Sequence, residues 1–266
     1  MNYILEKSKE GIIKINFKEG YSSIIIPSKD EKFSVCVSCQ IGCPLSCKFC
    51  HTGSVKFKRN LSSQEILEQI QTAKEIIKKN PTSVVFMGMG EPLLNLKEVL
   101  KAAEEIHNKF SISYNRITIS TSCLKNIDKL KDIPFSVAIS LHSPFDKIRK
   151  KLMPKSIPIR DIIQFVKNYS KNKSKKKYIM IEYSLIKGIN DSDEDLKQLL
   201  KLKWPKNTLF NLIEFNHCNN FIPSEIERVH KFKLAIISAG YKCFIRMSRG
   251  KDIKAACGML DYCWFI

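Results

Sequence analysis

Two short apolar runs open the chain, residues 11–17 (GIIKINF) and 21–27 (YSSIIIP), with Glu19 and Gly20 between them. β-branched and aromatic residues on both sides of a glycine turn predict a β-hairpin. Beyond it, short apolar runs alternate with helical periodicity. Residues 33–37, 83–87, 116–121, 135–141, 178–185, 209–214 and 241–247 are rich in Ile, Val and Phe, the composition of strands buried on both faces. Residues 61–79 place Ile66, Ile70, Ala73 and Ile77 on one helical face, and Ser62 with Glu65 forms a capping-box signature. The same periodicity predicts helices at 96–109, 157–169, 193–202 and 223–239.

Strands that alternate with helices imply βαβ units and a parallel sheet. About six such units predict an α/β chain: a partial (β/α)6 barrel preceded by an N-terminal β-hairpin. The expected boundaries are 1–30 for the hairpin extension and 31–266 for the barrel. No internal repeat and no long flexible linker interrupts the chain. In parallel α/β barrels chemistry gathers at the C-terminal ends of the strands, so the loops after the predicted strands are where functional residues are expected.

Composition narrows the setting. Apolar residues make up 44% of the chain, enough for a sizeable core. No run of 18 or more apolar residues predicts a membrane span, and the first residues lack the apolar run of a signal peptide; a cytoplasmic protein is expected. Ten cysteines in a reducing compartment point to metal binding or catalysis rather than a disulfide framework. The net charge of +19 suits a polyanionic partner, RNA or DNA first. Codon bias toward Lys in an A/T-rich genome is the plainer reading of the same charge. The densest basic run, 171–177 (KNKSKKK), reads equally as a solvated loop.

The cysteines cluster after the first predicted barrel strand. Cys43, Cys47 and Cys50 have the spacing C-x3-C-x2-C. Thiolates are soft ligands suited to iron–sulfur clusters, and three of them leave one iron of a cubane cluster open to a small chelating molecule. Zinc, which favours four ligands in paired C-x2-C units, and three unrelated buried cysteines are the competing readings. On this loop, the motif resembles that of the radical S-adenosylmethionine (SAM) superfamily. The resemblance implies a 4Fe–4S cluster held by Cys43, Cys47 and Cys50, with the amino and carboxylate groups of SAM on the open iron. One-electron reduction then cleaves SAM to methionine and a 5′-deoxyadenosyl radical.

Four further segments narrow the resemblance: VFMGMGEPLLNL from Val85, RITISTS from Arg116, AISLH from Ala138, and GKDIKAACG from Gly250. Together they resemble the RlmN/Cfr family of RNA adenine methyltransferases, over about residues 10 to 260. Gly90-Glu91-Pro92 is more similar to the C2-methylating branch than to the C8-methylating one. The resemblance implies that Gly90 and Glu91 contact the SAM amino group. It also implies that Ser120, the Ser140-Leu141-His142 segment and Asn216 complete the SAM site. Cys257 resembles the family's methyl-carrying cysteine and Cys36 its partner. Adenine C2 is a poor nucleophile, so direct methyl transfer fails there. The family route uses two SAM per turnover: one methylates the Cys257 sulfur, and the second yields the radical that takes a hydrogen from that S-methyl group. The resulting carbon adds to the base, and Cys36 attacks Cys257, forming a disulfide and releasing the methylated base. No role is assigned to Cys39, Cys123, Cys218, Cys243 or Cys263.

The implied partners are RNA, with the target adenosine in 23S ribosomal RNA, transfer RNA or both, and an electron donor such as flavodoxin or ferredoxin; a monomer is expected. Two departures from the family pattern stand out. The hairpin begins almost at Met1, so the helical domain that precedes it in the family is expected to be missing. The hairpin acid that takes a proton in the family is replaced by Ser22 or Ser23, and serine is a poor base. Another group, water, or Glu19 would take the proton, or the reaction differs. Two alternatives therefore stay open: a divergent paralogue with another substrate, and an RNA-binding protein that keeps the cluster only as structure.

Overall fold

The computed structural model describes residues 2–122, 124–172, 178–218 and 220–260. Cys123, Cys263 and residues 173–177 of the basic run lie outside them. The expected hairpin is present as β2 (Ile13–Phe17) and β3 (Tyr21–Pro27), and a further strand the sequence did not signal, β1 (Tyr3–Lys7), pairs with β2 antiparallel. Phe17 and Tyr21 stack across the turn with ring centroids 4.7 Å apart. β3 then pairs antiparallel with β4 (Phe33–Cys36), so the meander is continuous with the main sheet.

The barrel follows. A two-stranded ribbon, β5 (Gln40–Ile41) and β6 (Arg59–Asn60), brackets the short α1 (His51–Ser54). Next come α2 (Ser63–Ile77), β7 (Ser83–Phe86), α3 (Leu96–Phe110), β8 (Ile117–Thr121), β9 (Ser136–Ser140), α4 (Asp146–Leu152) and α5 (Ile159–Asn172). β10 (Ile179–Leu185), α6 (Asp193–Lys201), β11 (Thr208–Glu214), α7 (Ile226–Ser238) and β12 (Lys242–Arg246) complete it. One ten-stranded sheet runs β1-β2-β3-β4-β7-β8-β9-β10-β11-β12, parallel from β4 onward. Six strand-to-helix units precede β12; among the described residues the β8–β9 connection holds only a short 3-10 turn, Ile127–Leu130.

Burial follows the sequence pattern. Val84, Ile117, Ile119, Val137, Ile139, Ile181 and Phe210 are sealed in the core. α2 turns Ile66, Ile70 and Ala73 onto the sheet; each buried large aliphatic side chain contributes roughly 1.5–3 kcal/mol. The helix starts at the expected capping box: Ser62 Oγ accepts the Glu65 N–H at 3.2 Å, and Glu65 Oε2 accepts the Ser62 N–H at 2.8 Å. Both contacts satisfy donors that the first turn leaves unpaired.

The sheet is open, since β1 and β12 do not pair. It is nevertheless curled: Arg246, the last residue of β12, reaches Met87, the residue after β7. The segment after β12 crosses back to the N-terminal meander. Arg249 donates to the carbonyls of Pro27 and Glu10 at 2.7 and 3.0 Å. Gly250 N–H donates to a Glu10 carboxylate oxygen at 2.6 Å, and Lys9 N–H to Asp252 at 3.0 Å. This strap carries Cys257. Among the described residues no helix is long and apolar enough to cross a membrane.

Candidate active site

The parallel strands end around one large concavity, with about 1210 Å³ of atom-free space, part of it open to solvent. Cys36, Cys43, Cys47, Cys50, Gly90, Glu91, Ser120, Ser140, His142, Asn216 and Cys257 all line it. Ten of the eleven come from loops and strand ends that the parallel topology gathers at one face; Cys257 arrives on the strap. Leu141 does not face the cavity. It is fully buried in the core, and its backbone N–H donates to Glu182 O at 3.0 Å. Strand alternation sends Ser140 and His142 to one side and Leu141 to the other.

Cys43, Cys47 and Cys50 lie on the loop between β5 and α1. Tight backbone turns shape it, with Gly42 and Ser46 both in the left-handed region. Gly53 packs so closely that a Cβ there would lie 2.6 Å from Cys47 O. Lys48 N–H donates to Leu152 O at 2.9 Å, which ties the loop to α4. Burial pushes all three thiols up, Cys43 to about 12, and each sulfur feels at least one of the other two. Among the described residues no group of three His, Cys, Asp or Glu side chains closes to single-ion geometry. Three thiols on one loop suit a cubane, where each thiolate binds its own iron and the fourth iron stays open. A cluster's positive charge would make thiolates of groups that burial alone keeps protonated.

Glu91 is held beside this loop. Gly90 has φ +105° and meets Gln40 so tightly that any Cβ would lie 2.6 Å from the Gln40 Cβ. Gln40 Oε1 accepts the Glu91 N–H at 2.9 Å. The Glu91 carboxylate accepts from Thr121 Oγ1 at 2.6 Å, from Ser122 N–H at 2.9 Å and from Leu93 N–H at 3.1 Å. Burial nonetheless raises its pKa. An oriented, buried carboxylate of this kind suits an ammonium ligand, which would hold it ionised.

His142 adopts φ +53°, and its Nδ1 accepts the Ser184 N–H at 3.0 Å. The ring proton therefore sits on Nε2. Burial, with the Arg149 charge, lowers its pKa to about 3, so it is a neutral donor. Arg149 is itself consumed: its guanidinium donates to the carbonyls of Ser122 and Ser140, both at 3.1 Å, and of Ile157 at 3.5 Å.

Cys36 is 6% exposed at the end of β4. Cys257 has accessible surface, but it opens into the cavity among protein groups. Its loop is fixed on two sides: Asn216 Nδ2 donates to Cys257 O at 3.0 Å, and His51 N–H donates to Gly258 O at 2.8 Å. The second bond joins the Cys257 loop to the residue after Cys50. The two outlying thiols are electrostatic neighbours. Burial pushes Cys36 up to about 12 and raises Cys257, while Arg246 draws both down.

Several cavity groups carried no signal as motifs. Glu182, Arg246, Ser184 and Glu214 line the same concavity. Glu182 is buried and accepts from Ser120 Oγ at 2.9 Å; a charge inside the apolar run 178–185 was the clue. Ser22 and Ser23 are both buried and neither lines the cavity; Ser22 Oγ donates to Asn16 Oδ1 at 2.7 Å. Glu19 does not reach the cavity either. It is exposed at the hairpin turn and acts on Tyr21 beside Glu65 and Glu68, which removes it as the displaced proton acceptor. Cys39, Cys218 and Cys243 are buried in the core.

An open parallel barrel with three cluster-spaced cysteines beside an oriented glutamate defines a radical SAM protein, and residues 37–200 match the Radical SAM superfamily. That superfamily uses a 4Fe–4S cluster and SAM. The chain is 41% identical over 278 residues to the "Dual-specificity RNA methyltransferase RlmN" of Buchnera aphidicola subsp. Schizaphis graminum, covering 97% of this chain and 76% of that one. It is 37% identical over 269 residues to the protein of the same name from Psychrobacter arcticus, covering 90% of this chain and 66% of that one. A radical SAM methyltransferase from Sphaerobacter thermophilus superposes with a TM-score of 0.87 at 32% identity, over 97% of this chain and 81% of that one. The chain belongs to the RlmN family. It spans about two thirds to three quarters of the length of these named relatives.

Proposed function

We propose that this protein methylates C2 of an adenosine in ribosomal RNA, transfer RNA or both, through a methyl group carried on Cys257. The observation that carries the reading is the meeting of Cys36 and Cys257, from opposite ends of the chain, in the cavity that also holds the three-cysteine loop and Glu91. Cys43, Cys47 and Cys50 would hold the cluster. Glu91 and the neutral Nε2–H of His142 would orient SAM, with Ser120 and Ser140 as further polar contacts. When bound, these cofactors supply the methyl group and the means to activate it for addition to carbon.

Cys257 gives up its proton and takes a methyl group on sulfur, which requires a thiolate; Arg246 favours that state against the cost of burial. Cys36, which lines the same cavity and feels the charge of Cys257, would attack the Cys257 sulfur and release the methylated base, leaving a disulfide that an external dithiol reduces. Reduction of the cluster calls for an electron donor such as flavodoxin or ferredoxin. A second reading, the same chemistry on another substrate, is favoured by Ser22 and Ser23, which bring no carboxylate to the cavity.

The test is nucleoside mass spectrometry. Total RNA from cells lacking the gene is incubated anaerobically with the reconstituted protein, SAM and reductant. The expected result is 2-methyladenosine with the wild type and none with Cys257→Ala. Unchanged methyladenosines with the wild type would remove the reading.

A further inference from the structure

Two arginines lie by the ends of the parallel strands, Arg149 buried in α4 and Arg246 lining the cavity, and they spend their donors differently. Arg149 spends its guanidinium on three carbonyl oxygens of the fold. Arg246 does not. Among the described residues its one hydrogen bond runs from Nη1 to the sulfur of Met87 at 3.0 Å, a weak acceptor, and it makes no ion pair within 4.0 Å. A guanidinium carries five N–H donors. Most of those of Arg246 are left for something that enters the cavity it lines.

Its neighbours say what enters. Arg246 lines the cavity together with Cys36, Glu182 and Cys257, and its charge acts on all three, so it shares one space with the sulfur that carries the methyl group and the sulfur that releases it. The target carbon must come to that place. Adenine C2 is flanked by N1 and N3, two in-plane lone-pair acceptors. Forming a bond at C2 shifts electron density onto those nitrogens, and a cation that donates there stabilises the developing charge most where water is excluded. A planar fork suits a planar base better than a point charge does.

We propose that Arg246 is a catalytic residue that donates a hydrogen bond to N1 or N3 of the target adenine, beside the carbon that is methylated. The proposal rests on the adenine-methylation reading above. It assigns to Arg246 substrate contact, and to the thioether of Met87 the task of keeping the guanidinium aimed into the cavity.

The test pairs protein variants with base analogues. The wild type, Arg246→Met and Arg246→Lys are given a synthetic RNA with adenosine, 1-deazaadenosine or 3-deazaadenosine at the methylated position, as mapped in total RNA. Intact mass reports methyl loading of Cys257 with SAM alone. Arg246→Met is expected to load Cys257 more slowly, because the charge that favours its thiolate is gone, and, once loaded, to lose about 100-fold in methyl transfer to RNA. One of the two deaza substrates should cost the wild type a comparable factor, and the variant should lose little more on it. Arg246→Lys should fall between.

Multiplying losses, or wild-type rates unchanged on both analogues, would overturn the proposal. So would a variant that folds but no longer loads Cys257, which would place Arg246 on the thiol instead. The wild-type comparison of analogues needs no variant to fold. A wild type that loads Cys257 yet methylates no adenosine is a separate outcome; it defeats the adenine reading, and this proposal with it.

Discussion

Asn216 Nδ2 donates to the carbonyl oxygen of Cys257 at 3.0 Å, across the gap between the end of β11 and the returning strap. Its Oδ1 accepts from Ser248 Oγ, and Ser248 N–H donates to Glu214 at 3.0 Å. One side chain thus sets the position of the thiol loop and stands in the cavity at the same time. Asn216→Ala leaves a part-buried carbonyl without its donor, a cost of about 1 kcal/mol, and frees the loop. The expected outcome is a lowered Tm together with slower Cys36–Cys257 disulfide formation under a mild thiol oxidant. A disulfide rate equal to the wild type would show that the strap is held by its other contacts alone.

Gly90→Ala tests the carboxylate's cradle. The new Cβ meets Gln40 at 2.6 Å, at a φ of +105° that favours glycine. A loss of at least about 2 kcal/mol in stability is expected, with SAM binding weakened tenfold or more because Glu91 shifts with its backbone. Calorimetric titration with SAM reads the second effect separately from thermal denaturation.

His142 gives a pH dependence with a definite sign. Its folded pKa is lowered to about 3 by burial, against about 6.5 in the unfolded chain. The unfolded state therefore binds the extra proton, and His142 subtracts stability as pH falls from about 6.5 toward 3; above that window it costs nothing. Between pH 7.5 and 5.5 the linkage amounts to about 1.4 kcal/mol. His142→Asn, which keeps an acceptor for the Ser184 N–H, should lose about that much less stability than the wild type over this interval. Parallel denaturation curves at the two pH values check it.

Much of this was legible in the sequence. Most barrel strands read correctly because both faces are largely buried, so composition marked them; β12, with Lys242 and Phe244 exposed, is the exception in burial. The C-x3-C-x2-C loop and the Gly90-Glu91 turn stand out in the sequence as motifs, and the structure brings both to one cavity, with Gly90 at a φ of +105° that favours glycine. β1 was not legible: Ile4 and Leu5 are half exposed, and only backbone pairing with β2 makes it a strand. α4 is not among the helices the periodicity predicts, and Arg149 within it is buried and holds the ends of β8 and β9. Leu141 belongs to the same motif as Ser140 and His142, but its side chain is buried in the core. Asn216 was expected at SAM, and its bond to Cys257 depends on a strap that returns across the molecule. Glu182 is a lone charge in its apolar run, and Arg246 shares its run with Lys242; both signals gain meaning only when the sheet curls.

The central claim is that Cys257 carries the methyl group to RNA and Cys36 releases it. Cys36→Ala tests it most directly. The reconstituted variant is incubated with SAM, reductant and RNA, treated with nuclease, and analysed by intact mass and peptide sequencing. The expected result is a nucleotide adduct attached through Cys257, with no free 2-methyladenosine released. Release of 2-methyladenosine at the wild-type rate, with no adduct on Cys257, would contradict the two-cysteine route.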